Sequence, residues 1–472
     1  MQGTFEMQSS HTSAATLASF DDDHLIGYAG LVPLVRLAER AGLPALVSAH
    51  LDLGATVNSA GANPVAKVMS VVAGMCAGAD SFEDLDRLRH GAMGRVFDGI
   101  RAPSTLGTFA RCFTYGHNRQ LGAVHRRFLA ALARTNRLLP GADTLAFVDI
   151  DPTHVRVFGR KKAGAEYGRF KGVRTLHPIL SCISTPGSAP VIGPVRLRRG
   201  KSADVRGAAS FVTEAIGTAR DAGCTGTLIV RADSKFYCGK VVAACRRADA
   251  RFSIATGMNP GIRRAIAAIA EPSWTRIEYP RAIEDPDTGE LISIAQIAEV
   301  DYTAFASDPA HRTTARLIVR RVRDLAVADQ DELFPVYRYH ALFTDSPHEL
   351  TVAEPEHRGH AIIEGQIADF KDSALAHLPS GVFEANHAWL ILAAIAHNLT
   401  RTAGVIAHGD LALARTATIR ARLIQIPGRI AHRSRHLQVH LPTGWPWEQA
   451  FTRLFTTTHT PPGRTRTRTR TT

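Results

Sequence analysis

The stretch FVDIDPTHVRVFGRKK, residues 147–162, constrains the fold more than any other, because it is a β-strand pattern that carries two carboxylates. Alternate side chains of a strand share a face, so Phe147, Asp149, Asp151 and Thr153 lie on the same side. Ionised carboxylates on a covered sheet face are costly unless they are paired or bind a metal. The strand therefore indicates either a face that is solvated or paired with arginine, or one wall of a metal site. Taken alone, it does not choose between them.

The chain around this strand has the pattern of an α/β protein. Three strand-like segments come first, LAFVDIDPTHVRVF, TLHPILSCIS and APVIGPVRLR, and strands then alternate with helices through DVRGAASFVTEAIGTARDAG, TLIVRAD, KVVAACRRADA and RFSIATG. This order predicts a mixed sheet with flanking helices. Residues 274–345 contain short strands separated by polar turns and resemble a β-rich insertion, after which helical periodicity returns.

Composition narrows the class of protein. The chain is 45% hydrophobic and 21% charged, which is typical of a soluble globular protein. Its 56 Lys and Arg against 43 Asp and Glu give a net charge of +13, which favours a polyanionic partner, although basic proteins without one are common. The six cysteines form no CxxC or zinc-ligand spacing, as expected in a reducing compartment.

Two further features favour a cytoplasmic protein. The first residues lack the basic and apolar regions of a secretory signal. The segment WLILAAIAHNLTRTAGVIA is strongly apolar, but His397, Asn398 and Arg401 interrupt it, which predicts a buried helix and no membrane span.

These patterns predict seven segments along the chain. They are a flexible leader at 1–22, a helical domain at 23–140, the first part of an α/β core at 141–257, the β-rich insertion at 258–347, the second part of the core at 348–407, a C-terminal region at 408–460 and a disordered basic tail at 461–472. Short helices with interleaved Arg and Lys make the 23–140 segment either a DNA-binding domain or an ordinary helical one.

A second carboxylate follows the strand in TLIVRADSKF. Asp233 lies where the apolar run ends, and open α/β sheets place their ligands at the carboxyl ends of strands. The alternative interpretation is that Asp233 simply caps the following helix.

A third carboxylate lies in the helical segment HRGHAIIEGQIADFK. Glu364 and Lys371 are seven residues apart and share a helix face with His360 and His357, which is also the usual pattern of a solvated face. Two strand carboxylates and one helix carboxylate are what a two-magnesium phosphoryl-transfer site requires. No P-loop, GxSxG or HExxH motif offers a commoner chemistry.

Five segments in this order resemble a known enzyme family. They are PSTLGTFARCF, then DIDPTHVRVFG with YGRFKGVRTLHPIL, RADSKFY, HRGHAIIEGQIADFK and FEANHAWLILAAIAHNL, and the similarity around them extends from about residue 64 to residue 447. The chain resembles bacterial insertion-sequence transposases of the DDE type, in the group whose β-rich insertion separates the second Asp from the Glu. The resemblance implies an RNase H-like mixed sheet with flanking helices, interrupted by that insertion and preceded by a helical N-terminal domain.

The resemblance also implies roles for individual residues. The DxT motif of the family falls on Asp151, so Asp151, Asp233 and Glu364 are expected to hold two Mg²⁺ ions, for which Mn²⁺ can substitute. Asp149 is then a supporting or structural acid. The residues expected to contact DNA are Lys371, Arg358, His360, Arg160, Lys161, Lys162 and Lys171.

One part of the motif departs from the family. The catalytic helix of related transposases carries Tyr-x2-Arg-x3-Glu-x6-Lys, and here His357 and His360 hold the Tyr and Arg positions, with Arg358 nearby as a replacement cation. Trp274, in the insertion, is expected either to stack on an extruded base or to belong to the core.

The implied function is transposition. Such an enzyme would bind the terminal inverted repeats of its element, free a 3′-OH and direct it at target DNA, as a homodimer in the synaptic complex, away from membranes and associated with the nucleoid. Two alternatives remain open at this point: a nuclease of the same fold without strand transfer, and a DNA-binding regulator or decayed transposase without activity.

Overall fold

A computed structural model describes residues 16–54, 59–168, 172–278, 295–323, 337–433 and 436–460. The helices in these ranges are α1 Leu31–Arg40, α2 Leu43–His50, α3 Pro64–Ala77, α4 Met93–Val96, α5 Pro103–Arg111, α6 Tyr115–Asn136, α7 Ala208–Asp221, α8 Gly239–Arg247, α9 Pro260–Ala267, α10 Leu350–Arg358, α11 Ile362–Lys371, α12 Phe383–Ala407, α13 Thr416–Ile419 and α14 Glu448–His459.

The strands are shorter and fall mostly in the middle of the chain. They are β1 Leu25–Ile26, β2 Leu145–Pro152, β3 Val155–Arg156, β4 Glu166–Tyr167, β5 Arg174–Leu176, β6 Ile179–Ser184, β7 Val191–Arg196, β8 Thr227–Ala232, β9 Arg251–Thr256, β10 Thr275–Ile277, β11 Ala295–Ala304, β12 Thr313–Arg323, β13 Tyr337–Thr344, β14 Gly428–Arg433 and β15 His436–His440.

One large mixed sheet organises the described part of the chain. Its strand order is β10-β11-β12-β13-β9-β8-β2-β6-β7. Strands β2, β8 and β9 run parallel, whereas β6 and β7 continue the sheet antiparallel beyond β2. The apolar residues of β2, β6 and β8 are almost all buried, as expected for strands covered on both faces. The prediction of an α/β fold with a mixed sheet and flanking helices is confirmed.

The predicted insertion contributes strands β10 to β13. Strand β13 pairs antiparallel with β9, so these four strands extend the same sheet and do not form a separate layer. The chain then returns through α10 and α11 to the edge of the parallel strands. The exact segment boundaries given above stay predictions.

Helix α12 forms the centre of the helical layer. It packs against α3, α5, α6 and strand β7, and nearly all of its side chains are buried. Among the described residues it is the one helix long and apolar enough to cross a membrane, with a mean hydropathy of 1.4, but 94% of that window is buried inside the fold. Its apolar surface is therefore covered by protein.

Asn398 connects α12 to the outer strand of the sheet. Its Oδ1 accepts a hydrogen bond of 2.8 Å from the backbone N–H of Ile192, and its Nδ2 donates to the Ile192 carbonyl at 2.7 Å. The same Nδ2 group lies 3.1 Å from Nε2 of His125 on α6. One buried amide thus joins the sheet to two helices.

Candidate active site

The first two predicted carboxylates lie at neighbouring strand ends. In the parallel pairing of β2 with β8, Asp149 is opposite Arg231 and Ile150 is opposite Ala232. Asp151 and Asp233 are the next residues on the two strands. Both are partly buried, and both lie at the carboxyl edge of the parallel strands, where α/β sheets place their ligands.

The charges at this edge influence one another. Burial and the negative charges of Asp233 and Glu364 together raise the pKa of Asp151 to about 6, while the positive charges of His360 and Lys235 oppose the shift. Asp233 and Glu364 therefore lie within electrostatic reach of Asp151 at this edge of the sheet. Their shared role as metal ligands stays a prediction.

Glu364 reaches this place from α11. A 3-10 turn at Gly359–Ala361 separates α10 from α11, and the buried side chains of Ile363, Ile367 and Phe370 hold the opposite face of α11 against the core. This leaves Glu364 exposed in the first turn of the helix.

Lys371, at the end of the same helix, lies close to Asp151. Its ammonium donates a hydrogen bond of 3.1 Å to the carbonyl of His154, just beyond β2. Burial lowers the pKa of Lys371, and the negative charge of Asp151 opposes that shift. Lys371 thus places a positive charge beside the first carboxylate.

The three acids suit hard divalent cations by the chemistry of their oxygen donors. Their ligand atoms do not all lie within 4.8 Å of one another. Among the described residues, one cluster of three acidic or histidine side chains meets that distance, and it is Asp22, Asp23 and His24. The two ions of a two-metal site lie about 3.5–4 Å apart, so ligands shared between them need not all lie within that distance of one another. The exposed group at Asp22 is ion-paired with Arg95 and Arg429.

Asp149 has a different environment from Asp151. It is fully buried, and its two oxygens accept hydrogen bonds of 2.8 and 2.7 Å from Nε and Nη2 of Arg231. Nδ1 of His360 lies 2.8 Å from the same carboxylate. The guanidinium also stacks over the ring of Phe147, with 3.9 Å between its carbon and the ring centroid. These contacts are those of a structural acid.

The Asp149–Arg231 pair also holds the segment that precedes Glu364. Nη1 of Arg231 donates a hydrogen bond of 2.5 Å to the carbonyl of Glu356, near the end of α10. His360 contributes the second link, through Asp149. Side chains of β2 and β8, the strands that lead to Asp151 and Asp233, therefore hydrogen-bond the segment that precedes Glu364.

The two histidines at the Tyr and Arg positions of the family motif both face protein groups. Nδ1 of His357 lies 2.8 Å from the hydroxyl of Ser253 on β9, and burial lowers the pKa of His357 to about 3. At the positions where the family motif has Tyr and Arg, this chain therefore has a neutral His357 bound to Ser253 and a His360 bound to Asp149, and both contacts are within the protein.

The other residues expected to contact DNA are distributed around the site. Arg160 and Lys161 are exposed after β3, whereas the ammonium of Lys162 donates to the carbonyl of Leu378. Arg358 is hydrogen-bonded to Glu354, with 3.0 and 2.9 Å between its Nε and the two carboxylate oxygens. Lys171, with the basic segment at 169–171, lies outside the described residues. Contact of these residues with DNA stays a prediction.

Trp274 belongs to a cluster in the insertion. Its ring lies below the guanidinium of Arg321, with 4.2 Å from that carbon to the ring centroid, and Arg321 also contacts Tyr337 at 4.4 Å. Trp274 is half-buried against the small apolar core formed by α9, β12 and β13. These contacts favour the core interpretation over stacking on a base.

Three groups near the site were not predicted from the sequence. The first is Arg231, which pairs with Asp149; its place two residues before Asp233 in RADSK is the one sequence feature that indicates such a pair. Lys235 follows Asp233 by two residues and contacts it. The rings of His154 and His177 stack with centroids 4.0 Å apart beside Lys371, and no sequence spacing indicates that pair.

Comparison with known families identifies the class of protein. The family described as transposase DDE domain group 1 matches residues 9–460, nearly the whole chain. The chain belongs to this family of DDE transposases, which are nucleotidyl-transfer enzymes that act on DNA and generally use divalent metals. The family resemblance predicted from the motifs is confirmed.

Two further comparisons add little to this assignment. A solved structure of a piggyBac transposase synaptic complex with hairpin DNA has 10% sequence identity to the chain, with 84% of this chain and 79% of that chain covered. The TM-score of 0.38 is too low to carry an argument. Comparison with curated proteins gives no significant match.

Proposed function

We propose that this protein is an active transposase of a bacterial insertion sequence. It would bind the terminal inverted repeats of its own element, hydrolyse a phosphodiester to free a 3′-OH, and join that 3′-OH to target DNA. The observation that carries the proposal is the position of Asp151 and Asp233 at adjacent ends of β2 and β8, and the negative charge of Glu364, which helps raise the pKa of Asp151, supports it. The strand order β7-β6-β2-β8-β9, with β2, β8 and β9 parallel, supports an RNase H-like core.

The three carboxylates are the proposed metal ligands. Asp151, Asp233 and Glu364 would hold two Mg²⁺ ions, with Mn²⁺ as a substitute. When bound, such ions stabilise the attacking and leaving oxygens of an in-line phosphoryl transfer. The raised pKa of Asp151 fits this role, because three acids that repel one another favour a bound cation over the empty arrangement.

The remaining residues would position the DNA. Lys371 lies beside Asp151 and would contact a phosphate near the scissile bond. The exposed Arg160 and Lys161, with the net charge of +13, would add affinity for the DNA backbone. Asp149, Arg231 and His360 would keep the strand and helix carboxylates in register and would not touch the substrate. Synapsis of two ends would require a homodimer, and such a protein would act in the cytoplasm on the nucleoid.

A paired-end assay tests the proposal. The probe is a plasmid carrying the two DNA sequences that flank the gene, incubated with the protein and Mg²⁺. The expected products are cleaved ends and joined strand-transfer products. Asp233→Asn should abolish both, because the amide loses the metal-binding charge while it still caps the turn after β8.

The control and the outcomes separate the alternatives. Asp410→Asn removes the charge of an exposed aspartate in the C-terminal region and should leave the products unchanged. Cleavage without joined products would support a nuclease of the same fold. Binding of the flanking DNA with no cleavage by the wild type would support a regulator or a decayed transposase, and cleavage by Asp233→Asn would reject the assigned acids.

A further inference from the structure

Lys235 engages both oxygens of the second strand carboxylate. Its backbone N–H donates a hydrogen bond of 3.0 Å to Oδ1 of Asp233, which caps the 3-10 turn Ser234–Phe236. Its side-chain Nζ lies 3.3 Å from Oδ2 of the same residue. The first contact is structural and stays with any residue at this position except proline. The second depends on the lysine side chain.

The second contact lies at Oδ2, the carboxylate oxygen of Asp233 that does not accept the hydrogen bond from the Lys235 backbone. An ammonium beside a carboxylate offsets its charge, and it also repels a divalent cation that approaches the same oxygen.

The side chain of Lys235 is free to move. It is 53% exposed, whereas the Asp233 side chain is 32% exposed, and an ammonium on a flexible four-carbon stem reorients easily. Lys371 differs, because it is half-buried and its ammonium is bound to the carbonyl of His154. Of these two lysines beside the acids, Lys235 is the one that can change partner at little cost.

We propose that Lys235 is a counter-ion that holds Asp233 in the metal-free protein and transfers to a DNA phosphate when metal binds. The inference rests on the proposed function and deepens it. Metal at Asp233 would displace the ammonium, and a phosphate of DNA bound at the acids would then be the anion that it could pair with. Lys235 thus links metal binding to the grip on the substrate, a role separate from that of Lys371.

Two lysine variants and one matched control test the proposal. Lys235→Met keeps the length of the side chain and removes its charge, and Lys235→Arg keeps the charge. Lys240→Met makes the same charge change five residues further on. Lys240 is an exposed residue of α8 whose charge acts on Asp308. Thermal unfolding of all three should match the wild type, because exposed lysines contribute little to stability.

Binding of Mn²⁺ alone to the DNA-free protein, followed by the electron paramagnetic resonance signal of free Mn²⁺, measures the counter-ion role. Lys235→Met should bind Mn²⁺ about three- to tenfold more tightly than the wild type, because the competing cation is gone. Lys240→Met and Lys235→Arg should bind as the wild type does. An unchanged affinity in Lys235→Met would overturn the counter-ion role and leave only an ordinary surface ion pair.

Binding of a duplex of the flanking inverted repeat, measured across salt concentrations with Ca²⁺ in place of Mg²⁺, tests the phosphate contact. Lys235→Met should lower the slope of log K against log salt by about 0.9, the value for one lost phosphate contact. At saturating Mn²⁺ it should also cleave more slowly, although its metal site is full. A slope and a rate equal to those of the wild type would overturn the transfer to phosphate.

Failure of the proposed function has a different signature. If Asp233→Asn binds Mn²⁺ as tightly as the wild type, Asp233 is no metal ligand, and the assigned site falls whatever Lys235 does. If Asp233→Asn loses Mn²⁺ affinity and Lys235→Met does not gain it, the site stands and the counter-ion is rejected.

Discussion

Removing Arg231 should destabilise the protein strongly, because it leaves a buried carboxylate without its main partner. The Asp149 side chain is 0% exposed and that of Arg231 is 4% exposed, and the guanidinium donates two hydrogen bonds to the carboxylate. Breaking a buried pair from one side typically costs about 3–5 kcal/mol. His360 remains as a single partner, so we expect Arg231→Met to fall at the lower end, near 3 kcal/mol.

Urea unfolding followed by tryptophan fluorescence measures the loss. Replacing both partners, as in Arg231→Met with Asp149→Leu, should recover most of the lost free energy of unfolding, because no buried charge remains. The exposed pair Arg36–Glu39, with side chains 50% and 45% exposed, supplies the control, and Arg36→Met should cost less than about 1 kcal/mol.

In the double variant, the affinity for Mn²⁺ should not return together with the free energy of unfolding. Arg231 also holds the carbonyl of Glu356, and Asp149 holds His360, so both links to the segment before Glu364 are lost. We expect Mn²⁺ affinity to stay low in the double variant. An Arg231→Met protein as stable as the wild type, or a double variant no more stable than Arg231→Met, would refute the view that the buried charge pair organises this region.

Three further predictions concern stability and metal binding. Burial lowers the pKa of His125 from its ordinary value of 6.5 to about 4, so the unfolded chain binds a proton at a higher pH than the folded protein does. The contribution of His125 to the free energy of unfolding should be full above pH 6.5 and fall by about 3 kcal/mol as the pH drops toward 4. Urea midpoints of His125→Gln should therefore depend less on pH than those of the wild type. Glu364→Gln should weaken Mn²⁺ binding at least about tenfold with unchanged urea unfolding, because Glu364 is exposed; equal Mn²⁺ affinity would remove it from the site. A Cβ at Gly359 would lie 2.8 Å from Nη1 of Arg231, so Gly359→Ala should lower the free energy of unfolding by about 1–3 kcal/mol, while Gly365→Ala, where nothing lies within 4 Å, should not.

Local sequence patterns predicted the secondary structure around the site well. The apolar runs of β2, β6 and β8 and the alternation with α7 and α8 are local features, and each appears in the fold. The apolar segment at α12 became a buried helix as predicted, because its polar residues find partners inside the protein: Asn398 binds the sheet, and the guanidinium of Arg401 binds the carbonyl oxygens of Ala412 and Ala414. Secondary structure that depends on apolar patterns within one segment was therefore predictable from the sequence.

The position of the insertion in the fold was not predictable from its pattern. Short strands with polar turns indicated a β-rich segment, and a separate layer would satisfy the same pattern. Pairing of β13 with β9 joins the segment to the main sheet, with Phe343 opposite Ile254. Whether the insertion forms its own layer or joins the main sheet depends on whether the edge of β9 is unpaired. That edge exists only once the sheet has assembled.

The sequence by itself determined the family and predicted the acids of the candidate site, since DxT, RADSK and the Glu364–Lys371 spacing each lie within a few residues of the chain. The DxT motif favoured Asp151 over Asp149, which shares its strand face, but only the tertiary structure gave the physical difference between them. The partners of Asp149 come from 82 and 211 residues away, and the register of β2 against β8 brings Arg231 opposite it. The pairing of β2 with β8 ends one residue pair further along, at Ile150 and Ala232, so Asp151 and Asp233 lie just beyond that pairing and are only partly buried. The physical reason is that a strand pattern fixes the face of a side chain, whereas its charge partner is fixed by strand order and register.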